Sequence, residues 1–214
     1  MSDVEERTDT SVDLGRQAAA RAESRMLVDG ELLAAASGAE FDNVSPATGL
    51  VLGRTAAAQA QDMDRAIGAA RKAFDATDWS TNRALRKRCL EQLQSAIEAD
   101  KENLREELIA EVGCPAMTTQ SAQLDWPLAD GLRYPAKLID DFEWERVLEG
   151  GGLFGDRNVR TVVKEPVGVV AAITPSNFPI EVILNKLGPG LATGNTVVLK
   201  PDRTRRGTPR GWAG

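Results

Sequence analysis

Two apolar runs in this sequence end in polar groups that could do chemistry. GVVAAITPSNFPI, residues 168–180, carries an apolar stretch that stops at Thr174-Pro175-Ser176-Asn177. GNTVVLKP, residues 194–201, carries another that stops at Lys200. An asparagine amide fixed at the mouth of a buried strand can donate to an oxygen on which negative charge develops, contributing about 3 kcal/mol while staying neutral itself. A lysine there would attract any anion. Taken singly, Asn177 reads as a loop residue capping a helix start and Lys200 as the close of a strand, both ordinary uses. Their common position adds weight, because open parallel sheets bind ligands beyond the carboxyl ends of their strands.

Composition narrows the chemistry. The chain of 214 residues has no histidine, which removes Ser-His and Cys-His nucleophile pairs, histidine metal sites and a histidine general base together. Cysteine, lysine, carboxylates and amides remain. Cys89 and Cys114 stand 25 positions apart without CxxC spacing, so they predict neither a disulfide framework nor a thiolate metal site, and both read as small buried hydrophobes. No metal is expected. A net charge of −6 speaks against nucleic acid as a partner. The lack of an apolar run of about 18 residues speaks against a membrane span. The acidic, polar start MSDVEERTDTSVDLGRQ lacks the basic and then apolar order of a secretory signal, so a cytoplasmic location is the expectation.

The elements that must position the two polar endings can be read in order. Residues 1–25 have scattered charges and no sustained apolar face, which predicts a flexible or weakly helical lead-in. Residues 26–141 read as hairpins followed by helices. Asp29-Gly30 is a hairpin signal, and Ser45-Pro46-Ala47-Thr48-Gly49 marks a second turn. Behind Asp62, a helical period takes over with Met63, Ala66, Ile67, Ala70 and Phe74. From about Thr81, a second helix places Leu85, Cys89, Leu93 and Ile97 on one stripe, with Arg86, Lys87, Arg88 and Glu91 turned outward. A third, NLREELIAEVG, ends at Gly113, and Pro115 prevents its continuation. Residues 118–141 are expected to form two helical pieces, interrupted at Pro127 and Pro135.

Residues 142–165, which include a glycine cluster at 150–152, read as an extended, bridging hairpin segment. Residues 166–201 then run strand (Val167 to Thr174), helix (Pro179 to Leu191), turn (Thr193-Gly194-Asn195) and strand (Thr196 to Lys200). That order is a βαβ unit with parallel strands, so the fold class is α/β. Residues 202–214 form an irregular basic tail. PDRTRRGTPRGWAG holds four arginines against one aspartate, which leaves −9 on the preceding 200 residues.

EPVGVVAAITPSNFPIEVILNKLGPGLATGNTVVLKP, residues 165–201, resembles the segment of the aldehyde dehydrogenase superfamily that reads roughly EPxGVVxxIxPWNFPxxxxxxKxxPALAxGNTVVLKP. Almost every punctuating residue matches. Upstream, VDGELLAAASGAEFDNVSPATGLVLG is similar to the family's opening hairpins and DMDRAIGAARKAFDATDWS to the helix that follows them, so residues 26–201 are covered. The resemblance implies an amino-terminal helical and hairpin region followed by the first βαβ unit of a Rossmann-like parallel sheet, an incomplete aldehyde dehydrogenase fold. It also implies oxidation of a small-molecule aldehyde to a carboxylic acid with NAD or NADP. In that chemistry a cysteine thiolate attacks the carbonyl, hydride passes to the nicotinamide, and a glutamate activates water to release the thioester. By the motif, Asn177 would donate its side-chain amide to the oxyanion. Ile173, Thr174, Pro175 and Ser176 would line the nicotinamide end of the cofactor cleft. Lys200 would hold the adenosine ribose, and Lys186 would match the family's helix lysine near the active site. The resemblance also implies that full-length relatives are homo-oligomeric.

The chain departs from the family pattern in three places. Ser176 stands where the family usually has the Trp of PWNFP, which removes an aromatic wall from the substrate tunnel. Pro189-Gly190-Leu191-Ala192 replaces PALA. After Pro201, DRTRRGTPRGWAG has no helical apolar period, and Arg203 falls where a ribose-binding acid often sits. That change of composition is the one a shifted reading frame would produce, and the nucleotide sequence tests it. The resemblance covers less than half of a usual family member. The nucleophilic cysteine and general-base glutamate belong to the remaining portion, and neither Cys89 nor Cys114 matches the nucleophile's motif. Two function classes stay open: the amino-terminal part of an NAD(P)-dependent aldehyde dehydrogenase, and a non-catalytic cofactor-binding or oligomer-interaction fragment. Two strands of a larger sheet expose an unpaired edge, so the chain is expected to be unstable alone.

Overall fold

The computed structural model describes residues 2–148 and 159–202, with side chains from residue 12 onward. Helix α1 (Ser2–Arg21) comes first. Two antiparallel hairpins follow, β1 (Met26–Val28) with β2 (Glu31–Leu33) and β3 (Glu40–Val44) with β4 (Val51–Ala56). Next come α2 (Ala60–Ala76), α3 (Arg83–Ala99), α4 (Lys101–Val112), α5 (Ala116–Thr119), α6 (Asp125–Asp130) and α7 (Arg133–Asp141). β5 (Glu145–Leu148) pairs antiparallel with β6 (Arg160–Val163). β7 (Val169–Thr174), α8 (Pro179–Ala192) and β8 (Thr196–Pro201) complete the fold, with β7 and β8 parallel and in register from Val169 beside Thr196 to Thr174 beside Pro201. This is the α/β arrangement the sequence implies, hairpins and helices ahead of one parallel βαβ unit. The glycine cluster at 150–152 and the basic tail from 203 lie outside the described residues. Among the described residues, no helix is long and apolar enough to cross a membrane.

Local sequence accounts for the turns. Asp29 and Gly30 both take positive φ, 53° and 80°, as a two-residue hairpin turn requires if its twist is to match the flanking strands. Gly113 ends α4 at φ 67°, its N–H donating to the Ile109 carbonyl, and a Cβ there would meet Pro46 Cγ at 2.7 Å. Asp62 lies inside the first turn of α2. Its carboxylate accepts from the Gln59 N–H at 3.1 Å and from the Ala36 N–H at 2.9 Å. These two donors hold the carboxyl below its ordinary value of 3.8.

Three expectations are corrected. The lead-in is a full helix, because α1 packs against β4 and α4 through Gly15 and Ala18, which meet Leu52 and Ala110. Glycine and alanine carry too little apolar contrast to register as a period. On α3, Arg86 is not turned outward but is 2% exposed, and the buried face is Arg86, Leu90 and Gln94. Leu93 is instead 38% exposed and Cys89 only half-buried, because the helix is rotated to bring Arg86 to backbone carbonyls. Pro127 and Pro135 interrupt nothing. Each sits in the first turn of its helix, α6 or α7, where a missing N–H costs no helical bond. The break falls at Gly131-Leu132, and α5 adds a third short piece.

The main core joins Leu90, Leu108, Leu124, Leu128, Leu132 and Leu184, drawn from α3, α4, α8 and the α6–α7 stretch. α8 is pressed onto the α6–α7 junction. A Cβ on Gly131 would lie 2.9 Å from Leu184 Cβ, and one on Gly188 would lie 2.6 Å from the Gly131 carbonyl. This close approach sets where α8, and with it the preceding bend at Asn177, stands.

Candidate active site

β7 and β8 bring their carboxyl ends to one edge of the fold. Ile173 and Lys200 are register partners there, so their side chains leave the same face of the sheet side by side. Both are exposed, Ile173 at 64%. Side chains alternate along a strand, and Ala172 and Thr174 are buried on the opposite face. That opposite face belongs to α8, where a Cβ on Gly190 would approach Val197 Cγ2 at 3.3 Å. The Ile173 face meets α2, whose Ala70 carbonyl accepts from Thr196 Oγ1 at 3.0 Å. α2 therefore covers the start of the strands and leaves the Ile173–Lys200 end open.

Asn177 stands in the bend between β7 and α8, its side chain exposed. Its backbone carbonyl accepts from Gln123 Nε2 at 3.0 Å. Pro179 opens α8, its fixed φ preorganised for a first helical position. Pro175 is exposed and Ser176 half-buried. Lys186 is exposed on α8, about 10 Å along the axis from the helix start at 1.5 Å per residue. It does not share the bend with Asn177.

Two residues that anchor this unit escape a reading of the sequence. Asn195, expected only as a turn residue, is 6% exposed. Its Oδ1 accepts from the N–H groups of Val167 and Gly168 at 2.7 and 3.0 Å, and its Nδ2 donates to the Gly190 carbonyl and to Thr193 Oγ1 at 3.2 and 2.8 Å. It ties the start of β7 to the end of α8. The Gly-Asn pair ahead of a strand was the available signal, but its partners were not visible. Arg86 is the second anchor. Nε donates to the Ala192 carbonyl at 3.1 Å, and Nη1 to the Trp79 and Ser80 carbonyls at 2.9 and 3.0 Å. Burial, and then the neighbouring Arg83, push its pKa down from the ordinary arginine value. A cation at a helix carboxyl end is favoured by the carbonyl dipoles gathered there.

Beside the bend, a groove of about 670 Å³ runs between α6, α7 and α8, with Trp126, Tyr134, Asp130, Glu181 and Asn185 on its walls. Neither cysteine belongs to this surface. Cys114 is buried with its thiol directed at the Leu108 carbonyl at 3.5 Å, and Cys89 is half-buried on α3. Among the described residues, no group of three or more His, Cys, Asp or Glu could hold a metal ion.

This chain belongs to the aldehyde dehydrogenase family, whose model matches residues 33–208 and so runs past Pro201 into the basic stretch. It is 38% identical over 181 residues to the NADP/NAD-dependent aldehyde dehydrogenase PuuC of Escherichia coli, a match covering 84% of this chain and 35% of that protein. To the D-glyceraldehyde dehydrogenase (NADP(+)) of Thermoplasma acidophilum it is 35% identical over 191 residues, covering 87% and 36%. A solved structure of indole-3-acetaldehyde dehydrogenase with NAD+ superposes with a TM-score of 0.78 at 35% identity, covering 86% of this chain and 37% of that one. The chain spans about a third of the length of the curated relatives it matches.

Proposed function

We propose that this chain supplies the oxyanion donor and part of the cofactor cleft of an enzyme that oxidises a small-molecule aldehyde to a carboxylic acid with NAD or NADP. The observation that carries this reading is the pairing of Ile173 with Lys200 at the open end of β7 and β8, one bend before Asn177. The Lys200 ammonium holds the hydroxyls of the adenosine ribose. Ile173, Thr174, Pro175 and Ser176 line the nicotinamide end, with Ile173 offering the apolar surface and Thr174, whose side chain is buried on the opposite face of the sheet, contributing its backbone alone. The cofactor, when bound, supplies the hydride acceptor. Asn177 donates its side-chain amide to the oxygen that gains charge as the aldehyde carbonyl is attacked, and a preorganised neutral donor favours that state without trapping free anions. Lys186 is the next cation along α8 and is assigned to the surroundings of the site. The nucleophilic thiolate and the water-activating glutamate are assigned to family sequence that this chain does not span. The reaction is placed in the cytoplasm, in an assembly of like subunits.

A non-catalytic piece that binds cofactor or joins an oligomer is the second reading. It is favoured by the burial of Cys114 and the half-burial of Cys89, which leave no freely exposed thiol among the described residues. Titrating the purified chain with NAD+ and with NADP+ tests the cofactor assignment, and assaying aldehyde-dependent NADH formation tests whether this chain alone turns over. Binding of one dinucleotide, weakened about tenfold or more by Lys200→Met, is the expected result. If neither dinucleotide binds, or if Lys200→Met leaves binding unchanged, the cofactor assignment fails. Turnover that survives loss of both cysteines would defeat the thiolate mechanism.

A further inference from the structure

The side chain that donates to the Asn177 carbonyl lies 54 positions earlier in the chain. Gln123 sits between α5 and α6, 6% exposed, beside the fully buried Leu124. Its backbone N–H donates to the Thr118 carbonyl at 3.0 Å, which locks it into the α5–α6 turn. From there the side chain crosses to the β7–α8 bend, and Nε2 donates to the Asn177 carbonyl at 3.0 Å. Asn177 belongs to neither β7 nor α8, so its carbonyl lacks the ladder or helical donor that its neighbours use. The first helical bond of α8 goes instead from the Val182 N–H to the Phe178 carbonyl, at 3.0 Å.

The Gln123 amide has only one workable orientation. A carbonyl can only accept, so the NH₂ must face Asn177, which leaves Gln123 Oε1 buried with no partner among the described residues. An unpaired buried amide oxygen is unfavourable, and a leucine would fill the space without it. A leucine could not satisfy the Asn177 carbonyl. Gln94 also has a buried Oε1 with no partner among the described residues, but its Nε2 donates to two acceptors, the Leu128 carbonyl at 2.7 Å and Glu98 Oε1 at 2.8 Å. Both acceptors lie on helices away from the bend, Leu128 on α6 and Glu98 on α3, so its work is structural. The acceptor of Gln123 belongs to the candidate site.

We propose that Gln123 is a positioning residue. By holding the Asn177 peptide plane, it sets the direction from which the Asn177 side-chain amide enters the cleft. The proposal rests on the reading of Asn177 as oxyanion donor, but its physical content, a bend held rigid by one buried amide, is measurable independently of that reading.

The test is ¹⁵N relaxation of the 214-residue chain with Gln123 intact, with Gln123→Leu and with Gln123→Glu. Backbone order parameters at Ser176, Asn177 and Phe178 should fall from about 0.85 to below about 0.6 in Gln123→Leu, while those of β7 and α4 hold. In Gln123→Glu the protonated acid can donate as the amide does, whereas the carboxylate repels the Asn177 carbonyl. The bend should therefore be rigid at about pH 5 and mobile at about pH 8, since burial raises a carboxyl pKa. A mere space-filling role predicts an unchanged bend in Gln123→Leu and no pH effect in Gln123→Glu, and either result overturns the proposal. Should Gln123→Leu fail to fold, the two pH values of Gln123→Glu decide alone. Failure of the intact chain to bind NAD+ or NADP+ counts against the proposed function and leaves the relaxation result standing.

Discussion

Arg86 Nε donates to the Ala192 carbonyl at 3.1 Å from inside the protein, so a buried cation of α3 closes the carboxyl end of α8. The same guanidinium reaches the Trp79 and Ser80 carbonyls, three acceptors that only a rigid fork can serve together. A lysine ammonium is a single nitrogen and cannot stand where Nε and Nη1 both stand, so at least one of these carbonyls loses its donor. Arg86→Lys is accordingly expected to destabilise the fold by about 2–3 kcal/mol, read as a lower urea midpoint at unchanged slope.

Gly188 and Gly68 both sit within helices but in opposite circumstances. A Cβ on Gly188 would meet the Gly131 carbonyl at 2.6 Å and Pro135 Cγ at 2.9 Å, whereas Gly68 has nothing within 4 Å. Gly188→Ala should destabilise by about 1–3 kcal/mol through overpacking. Gly68→Ala should stabilise α2 by about 0.5–1 kcal/mol through its better helix propensity. Thermal unfolding of both variants checks the pair, and equal effects would refute the close α8 contact.

Asp62 links the fold to pH. Its carboxyl, accepting from Gln59 and then Ala36, is held below 3.8 in the folded chain. A lowered folded pKa contributes stability that is fully present above the unfolded value and is lost as pH falls through the folded one. Asp62→Asn cannot titrate, so its deficit in urea midpoint against the parent should be full at about pH 7 and should shrink by about pH 3. A deficit of constant size across that range would show that the ionised carboxylate is not what holds the first turn of α2.

The two thiols should separate in the folded chain. Cys89 is half-buried, whereas Cys114 is buried behind α4. A disulfide reagent should modify Cys89 at least about tenfold faster than Cys114, and the difference should vanish in denaturant. Mass spectrometry of the labelled peptides measures the ratio.

Much of the architecture is legible before any coordinates. Asp29-Gly30, Gly113 and the strand–helix–strand run from Val167 to Lys200 stand where their residue types place them, because turn chemistry and strand patterning are local. α3 shows where that legibility ends. Periodicity marks a helix there, but a stripe of Leu85, Cys89, Leu93 and Ile97 and one of Arg86, Leu90 and Gln94 lie close together around the same helix. Only the carbonyls waiting at the end of α8 decide which of them turns inward. α1 is missed for the opposite reason, since its contact face is glycine and alanine.

For the candidate site, the sequence alone was enough to name the family and to put Asn177 and Lys200 at the carboxyl ends of neighbouring strands. Tertiary structure decided that Lys200 lies beside Ile173 on an open face, that Thr174 is turned to the other side, and that Gln123 holds the Asn177 carbonyl. The physical reason is reach. Residue type and spacing govern bonds within a turn or a strand, whereas the anchoring bonds join groups 54 positions apart at Gln123 and Asn177 and 106 apart at Arg86 and Ala192. Such separations close only when the helices pack.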